Sequence, residues 1–183
     1  FNMVPEHLKP RLPSEETISQ FIKLADEIEA GLETGIDVKS KIELWNNTAQ
    51  TPYSPYDFLS YHGAYSTKTF VLKMLLPRPP YLDANYQDFL SIIDTIIDNA
   101  EPSEAVHDYY MELLEVNFAG CRPSELIYWP KDWFDASFDE NPKFNSDQIL
   151  MYLITMSKRS IKGSRKTVEL PYPAPTWKPV IAL

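Results

Sequence analysis

The chain has 183 residues, of which 44% are hydrophobic and 13% aromatic, so it can build a core and is not expected to be disordered. Its formal net charge is −9 at pH 7, which argues against nucleic-acid binding because such surfaces attract phosphate with Lys and Arg. With Cys121 as its single cysteine, the chain cannot form an internal disulfide, so nothing in its cysteine content calls for an oxidising compartment.

The balance of proline and glycine indicates the fold class. Sixteen prolines favour short helices joined by rigid connections, and only five glycines disfavour a β fold rich in tight hairpins. We therefore expect a single all-α domain over residues 1–183 with about six or seven irregularly packed helices. Residues 1–12 would form an N-terminal arm, and residues 167–183 would form an extended, Pro-rich tail.

Helical spacing of apolar residues predicts four helices in the first part of the chain. The first follows Ser14, a good N-cap, and ends at Gly35. The second covers residues 38–46, and a short third one starts within residues 53–62. A buried helix then covers residues 66–76, until Pro77 stops it.

Three further helices are predicted in the second part. They cover residues 83–99, a segment from Ser103 to about Phe118, and a segment that Ser146 caps. Between the last two, a loop with short helical turns is expected, and Ser124 in Pro-Ser-Glu resembles the capping serines at positions 14 and 103. From residue 167 onward, frequent prolines exclude a helix.

Negative charge is concentrated in residues 83–147, which hold 15 Asp and Glu against three bases, a net of −12. Helical spacing places most of the central carboxylates on two stripes, which consist of Asp94, Asp98 and Glu101 and of Glu104, Asp108, Glu112 and Glu115. Two interpretations stay open: a solvated outer face, or a surface that binds a basic partner. Ordinary solvated faces mix both signs, and the absence of Lys and Arg from residues 83–121 favours the second.

Four aromatic residues fall within residues 128–134, inside the acidic block. Trp129, Trp133 and Phe134 either fill the core beneath a long connection or serve as rigid anchors for a partner. Anchors beside carboxylates are what a docking surface for a basic protein needs, so we include all three among the candidate partner-binding residues together with the two acidic stripes.

Catalytic and metal-binding patterns are weak. Glu104 and His107 have the Glu-x-x-His spacing of di-iron bundles, but no second copy exists. Cys121 precedes Arg122, which could lower the pKa of the thiol, and His107 is a conceivable base. Phosphate-binding Gly-rich loops, Cys-x-x-Cys and His-Glu-x-x-His are all absent from the sequence. We expect no metal, no cofactor and no enzymatic activity, with a small enzyme using His107 and Cys121 as the weaker alternative.

Positive charge is clustered after the last predicted helix. The cluster consists of Lys158, Arg159, Lys162, Arg165 and Lys166. Cations at a helix C-terminus complement its dipole, and the surrounding negative charge would repel phosphate, so we expect no nucleic-acid binding. No apolar run is long enough to span a membrane, and no secretion-signal pattern opens the sequence. We expect a cytoplasmic protein without membrane contact.

The acidic stripes from Asp94 to Glu115 and the aromatic segment 128–134 resemble, in character, the immunity proteins of bacterial toxin systems. Residues 124–134 also resemble segments of small helical proteins from contact-dependent growth inhibition systems. The resemblance implies a monomer or weak dimer that binds a cognate, basic nuclease toxin domain and occludes its active site or substrate surface. A helical scaffold or adaptor, whose basic segment and proline-rich tail dock elsewhere, is the alternative class.

Overall fold

The structure is a computed structural model, and it describes residues 3–135, 138, 141–165 and 167–179. These residues form nine α-helices and two single-turn 3-10 helices, and no β-strand occurs among them. The α-helices are α1 (Glu15–Thr34), α2 (Lys39–Asn46), α3 (Pro55–Ser60), α4 (Thr67–Leu75), α5 (Tyr86–Ile97), α6 (Glu104–Asn117), α7 (Pro123–Tyr128), α8 (Pro130–Phe134) and α9 (Ser146–Ser157). The all-α prediction is confirmed.

The number of helices is higher than the predicted six or seven. The segment expected to be a loop with short turns contains two separate helices, α7 and α8, within the described part of the chain. Pro130 ends α7 because it cannot continue the hydrogen-bond ladder, and it begins α8 because its fixed φ suits a first helical position.

The chain divides into two compact units. The N-unit consists of Pro10–Arg78 and Ser103–Tyr109, and the C-unit consists of Pro79–Pro102 with the chain from Tyr110 onward and the segment before Pro10. Helix α6 begins in the N-unit and ends in the C-unit. The expectation of one domain over residues 1–183 stays a prediction.

The N-unit is built around Trp45, which is fully buried. Its indole stacks on Phe70 with ring centroids 5.3 Å apart and meets Phe58 edge to face at 5.1 Å. Phe21 and Tyr53 complete the cage at 5.7 and 5.6 Å. The indole Nε1 has no hydrogen-bond partner among the described residues, so the contacts that hold this side chain are apolar and aromatic.

Helix α1 fits its predicted limits. Ser14 accepts a hydrogen bond from the amide of Thr17 at 3.1 Å, and Gly35 ends the helix in the left-handed conformation with φ 72°. Gly31 allows the next segment to approach closely, because a Cβ there would lie 2.2 Å from Cγ1 of Val38.

The C-unit packs α5 against α9 and is held by a polar centre at Asn117. The buried Asn117 amide donates to the carbonyls of Pro80 (3.0 Å) and Leu113 (2.8 Å) and accepts from the amide of Leu82 (2.8 Å). Arg159 donates to its side-chain oxygen (2.9 Å) and to its main-chain oxygen (3.0 Å). One side-chain cluster therefore joins the 80–82 segment, the end of α6 and the loop after α9.

Two capping predictions are wrong by a small shift. Asn145, not Ser146, caps α9, since its side chain accepts from the amide of Gln148 at 2.9 Å. Ser124 is the second residue of α7 and not its cap, and the carboxylate of Glu115 accepts its amide hydrogen instead. Both Asn and Ser are good N-caps, so sequence alone does not decide between neighbours.

The tail was predicted to be extended, and that geometry is not confirmed. Residues 167–179 contain no helix, but the chain bends at residues 171–172 and 176 and packs on other parts of the C-unit. The Tyr152 hydroxyl donates to the carbonyl of Tyr172 at 2.7 Å and accepts from its amide at 3.2 Å. Trp177 Nε1 donates to the Trp133 carbonyl at 2.7 Å.

Candidate functional site

The acidic stripe of α6 contains both exposed carboxylates and carboxylates that are paired within the fold. Glu104 and Glu112 are exposed. Asp108 forms an ion pair with Lys73 of α4. Burial alone would lower the pKa of Lys73, but hydrogen bonds from its ammonium group to Asp108 and Tyr65 raise that pKa above its usual value. The sequence lacked a nearby base for this stripe, and the fold supplies one from 35 residues away.

Glu115, the last member of the stripe, has a structural role. Its Oε1 accepts hydrogen bonds from the Ser124 amide (3.2 Å) and from the Ser124 hydroxyl (2.9 Å). These contacts place a carboxylate at the positive end of α7, where it stabilises the helix. Glu115 therefore fixes α7 to the end of α6, and its charge is already used inside the C-unit.

The carboxylates around the end of α5 remain directed at least partly to solvent. Asp98 is exposed, whereas Asp94 and Glu101 are half-buried. Asp94 lies in the last turn of α5 and Asp98 is its C-cap residue, where the helix dipole disfavours negative charge. Helix stability therefore does not account for these acidic residues.

The three candidate aromatic anchors differ in how far their side chains are buried. Trp133 is fully buried, and its Nε1 donates to the carbonyl of Cys121 at 2.7 Å. Phe134 is half-buried and meets Tyr152 edge to face with centroids 5.1 Å apart. Both side chains serve the core, so we correct the assignment of Trp133 as a partner-contacting residue and give Phe134 a packing role. Trp129 is 55% exposed.

The main chain of Trp129 is fixed by hydrogen bonds although its side chain is exposed. Its amide donates to the Glu125 carbonyl (2.8 Å), and its carbonyl accepts from the Trp133 amide (3.1 Å). Tyr128, 42% exposed, packs against it with ring centroids 5.7 Å apart at 67°. An aromatic pair on a fixed backbone loses little conformational entropy when it binds, which is the property of a binding anchor.

We use the name acidic–aromatic surface for five residues of the C-unit that lie on α6, α7, α8 and the α7–α8 junction: Glu112, Val116, Tyr128, Trp129 and Asp132. All five are exposed. Glu115 ties the start of α7 to α6, and Tyr128 and Trp129 lie at the other end of this six-residue helix, about 9 Å away. The sequence indicated Glu112 and Trp129, but it gave no signal that Tyr128 and Val116 would be exposed as well.

Cys121, the nucleophile of the alternative enzyme class, lies in the interior of the C-unit. Cys121 is fully buried, and burial, with a smaller contribution from Glu115, raises the pKa of its thiol to about 11. The expected lowering by Arg122 is wrong because the guanidinium group lies 4.2 Å from the centre of the Trp177 ring and pairs with Glu125 at 2.7 Å. A thiol with this pKa is protonated at neutral pH.

No metal centre is visible in the part of the chain that the structure describes, where no three His, Cys, Asp or Glu side chains gather as ligands would. His107 lies beside Asp108, with Nδ1 and Oδ1 3.8 Å apart. The Glu-x-x-His spacing is thus accompanied by one neighbouring carboxylate, which falls short of the ligand set of a di-iron site.

The basic cluster after α9 is divided between structure and surface. Arg159 is committed to Asn117 and to the Leu82 carbonyl, and its guanidinium carbon lies 4.2 Å from the centre of the Tyr81 ring. Arg165 pairs with Asp147 at 3.4 Å. Lys158 and Lys162 are exposed, whereas Lys166 lies outside the described residues.

None of the helices in the described ranges is long and apolar enough to cross a bilayer. No protein-family model matches this chain, and no curated protein and no solved structure shows significant similarity to it.

Proposed function

We propose that this chain is an immunity-type inhibitor, which binds a basic toxin domain, such as a nuclease, and occludes its active site or substrate surface. The observation that carries the proposal is the exposed Tyr128–Trp129 pair on a hydrogen-bonded main chain within the acidic–aromatic surface. A large aromatic anchor with carboxylates nearby matches a partner that presents an apolar recess among lysines and arginines.

The residues of this proposal have distinct roles. Asp94, Asp98 and Glu112 of the C-unit attract the basic partner, and Trp129 anchors it. Glu104 is an exposed candidate of the N-unit. Glu115 supports the surface through Ser124, and Trp133 and Phe134 support it from the core. Asp108 is paired with Lys73 inside the N-unit. The described part of the tail packs on α9, so it gives no support to the alternative of an adaptor that uses a free tail.

The proposal is tested by co-expressing the chain with the C-terminal domain encoded by the adjacent upstream gene and measuring complex formation. We expect a stable complex whose association slows as salt rises. Replacing Asp98 and Glu112 with Lys should slow association by about tenfold at low salt and weaken its salt dependence. The matched control reverses Glu33 and Glu43, two exposed carboxylates of the N-unit, and should leave association unchanged.

The anchor is tested separately by Trp129→Ala. Truncation of a central aromatic anchor should accelerate dissociation and raise Kd by about 30-fold or more. Tyr56→Ala is the control, because Tyr56 is 74% exposed and belongs to the N-unit. Failure of the wild-type chain to bind the neighbouring basic domain, or equal affinity of the Trp129 and Tyr56 variants, would contradict the proposal.

A further inference from the structure

The C-unit contains a cleft of about 440 Å³ between the end of α9 and the tail. It is lined by residues 155–158 of α9 and its C-cap, by residues 174–179 of the tail, and by Ala119. The volume lies within the range of small-molecule sites, roughly 300–1,000 Å³. Neither the acidic–aromatic surface nor the proposed inhibition makes use of this cleft.

The tail wall of the cleft is fixed by hydrogen bonds. Tyr172 exchanges two hydrogen bonds with the Tyr152 hydroxyl, and the Gln148 amide donates to the Glu169 carbonyl at 3.3 Å. Trp177, which lines the cleft, is held by its bond to the Trp133 carbonyl and by the Arg122 guanidinium group. The wall is therefore formed in advance of any ligand, which lowers the entropic cost of binding.

The lining combines an apolar majority with positive charge. Its apolar members are Ala119, Met156, Ala174, Pro175, Trp177 and Pro179. Lys158 and Lys178 come from opposite walls, both are exposed, and no acidic residue is among the described lining. The dipole of α9 accounts for a cation at Lys158, but it does not account for Lys178 on the tail.

The hydroxyl groups at the α9 side are already used by the helix. Thr155 donates to the Met151 carbonyl (2.8 Å), and Ser157 accepts from the Arg159 amide (3.2 Å). The two ammonium groups are thus the charged groups that the described lining can offer to a ligand, and Thr176 on the tail adds one hydroxyl. The chain as a whole has a net charge of −9, so two lysines beside one cleft are a local exception. They favour a ligand that carries negative charge.

We propose that this cleft is a binding site for a small amphipathic anion, namely an aromatic body that carries one carboxylate. The aromatic body packs against Trp177, Met156 and Pro175, and the carboxylate lies between Lys158 and Lys178. The proposal is independent of the proposed inhibition, because it uses none of the residues of the acidic–aromatic surface.

The test uses 2-naphthoate as the probe and its neutral analogue 2-naphthalenemethanol for comparison. Nitrogen-15 NMR follows the indole N–H signal of Trp177, which is identified by its loss in Trp177→Phe. We expect 2-naphthoate to shift this signal with saturation and to bind about tenfold more tightly than the alcohol, since hydrogen bonds to charged groups are the stronger ones.

Removing both cations by Lys158→Gln with Lys178→Gln should weaken 2-naphthoate binding by about tenfold and leave binding of the alcohol unchanged. The control, Lys39→Gln with Lys162→Gln, removes the same charge from exposed positions outside the lining and should retain full affinity. The remaining indole signals report that each variant is folded. Absence of a Trp177 shift at millimolar 2-naphthoate, or equal affinities of the two double variants, would overturn the proposal.

Discussion

The two units bury a tryptophan in different ways. In the N-unit, Trp45 is surrounded by aromatic rings, and its Nε1 bonds to no described residue. In the C-unit, Trp133 donates to the Cys121 carbonyl and accepts the Trp177 indole hydrogen at its own carbonyl. Apolar packing is sufficient for a unit made of regular neighbouring helices. A unit that gathers irregular segments needs polar side chains to satisfy the main-chain groups of its loops.

The largest expected effect is at Asn117, the polar centre of the C-unit. Asn117→Leu should lower the free energy of unfolding by about 2–4 kcal/mol, because several buried main-chain groups lose their partner together. The N-unit offers the matched control: the side chain of Asn46 bonds to the main chain of Tyr53, at 2.8 and 3.0 Å, and is half-buried. Asn46→Leu should cost about 1 kcal/mol.

Urea denaturation measures both asparagine variants, and hydrogen exchange at the Leu82 amide reports the local loss at Asn117. Equal costs at the two positions would show that the polar centre adds nothing to the stability of the C-unit.

A second, intermediate effect compares the tryptophans directly. Trp133→Phe leaves the Cys121 carbonyl without its donor, so it should cost about 1–3 kcal/mol more than Trp45→Phe, which removes an N–H that has no described partner. Thermal and urea unfolding of the two variants provide the comparison. A larger cost at Trp45 would mean that the indole N–H there has a stabilising partner such as an aromatic face.

Helix positions were largely predictable, since α1 and α9 follow the apolar period and lie close to residues that cap helices well. By contrast, the burial of the aromatic residues in segment 128–134 was not predictable. Trp129 and Trp133 lie four residues apart, yet one is exposed and the other buried, because Pro130 separates two helices too short to show a period.

The candidate site was predictable only in part, because several of its residues pair with residues that are distant in the sequence. Glu112 and Trp129 were identified, but the ion pair of Asp108 comes from Lys73, and the Asn117 centre depends on Arg159, 42 residues away. No local pattern in the sequence carries information about such distant partners.

The last effect is absent at neutral pH and appears only under alkaline conditions, because it comes from the thiol of Cys121. Its pKa is raised from about 9 to about 11 in the folded state, so the folded protein retains a proton that the unfolded chain releases. Stability from this group is fully present below pH 9 and is lost as pH rises through 11. The slope approaches ~1.4 kcal/mol per pH unit between these limits.

Urea titrations of the wild type and of Cys121→Ala from pH 7 to 11 isolate this contribution, because the other alkaline titrations are common to both proteins. The difference between the two should be constant below pH 9 and shrink above it. A constant difference over the whole range would contradict the buried, protonated thiol. No comparable thiol exists in the N-unit, since Cys121 is the single cysteine.

The pairing of α5 with α9 has a consequence for the order in which the protein forms during synthesis. Leu82 and Arg159 are 77 positions apart, and Tyr86 and Asp147 are 61 apart. Helix α5, with Ile92, Ile93 and Ile96 on its buried face, therefore leaves the ribosome long before its partner exists. At about 5–20 residues per second, this apolar face waits for several seconds without α9. The nascent chain is most exposed to aggregation and to chaperone binding during this interval.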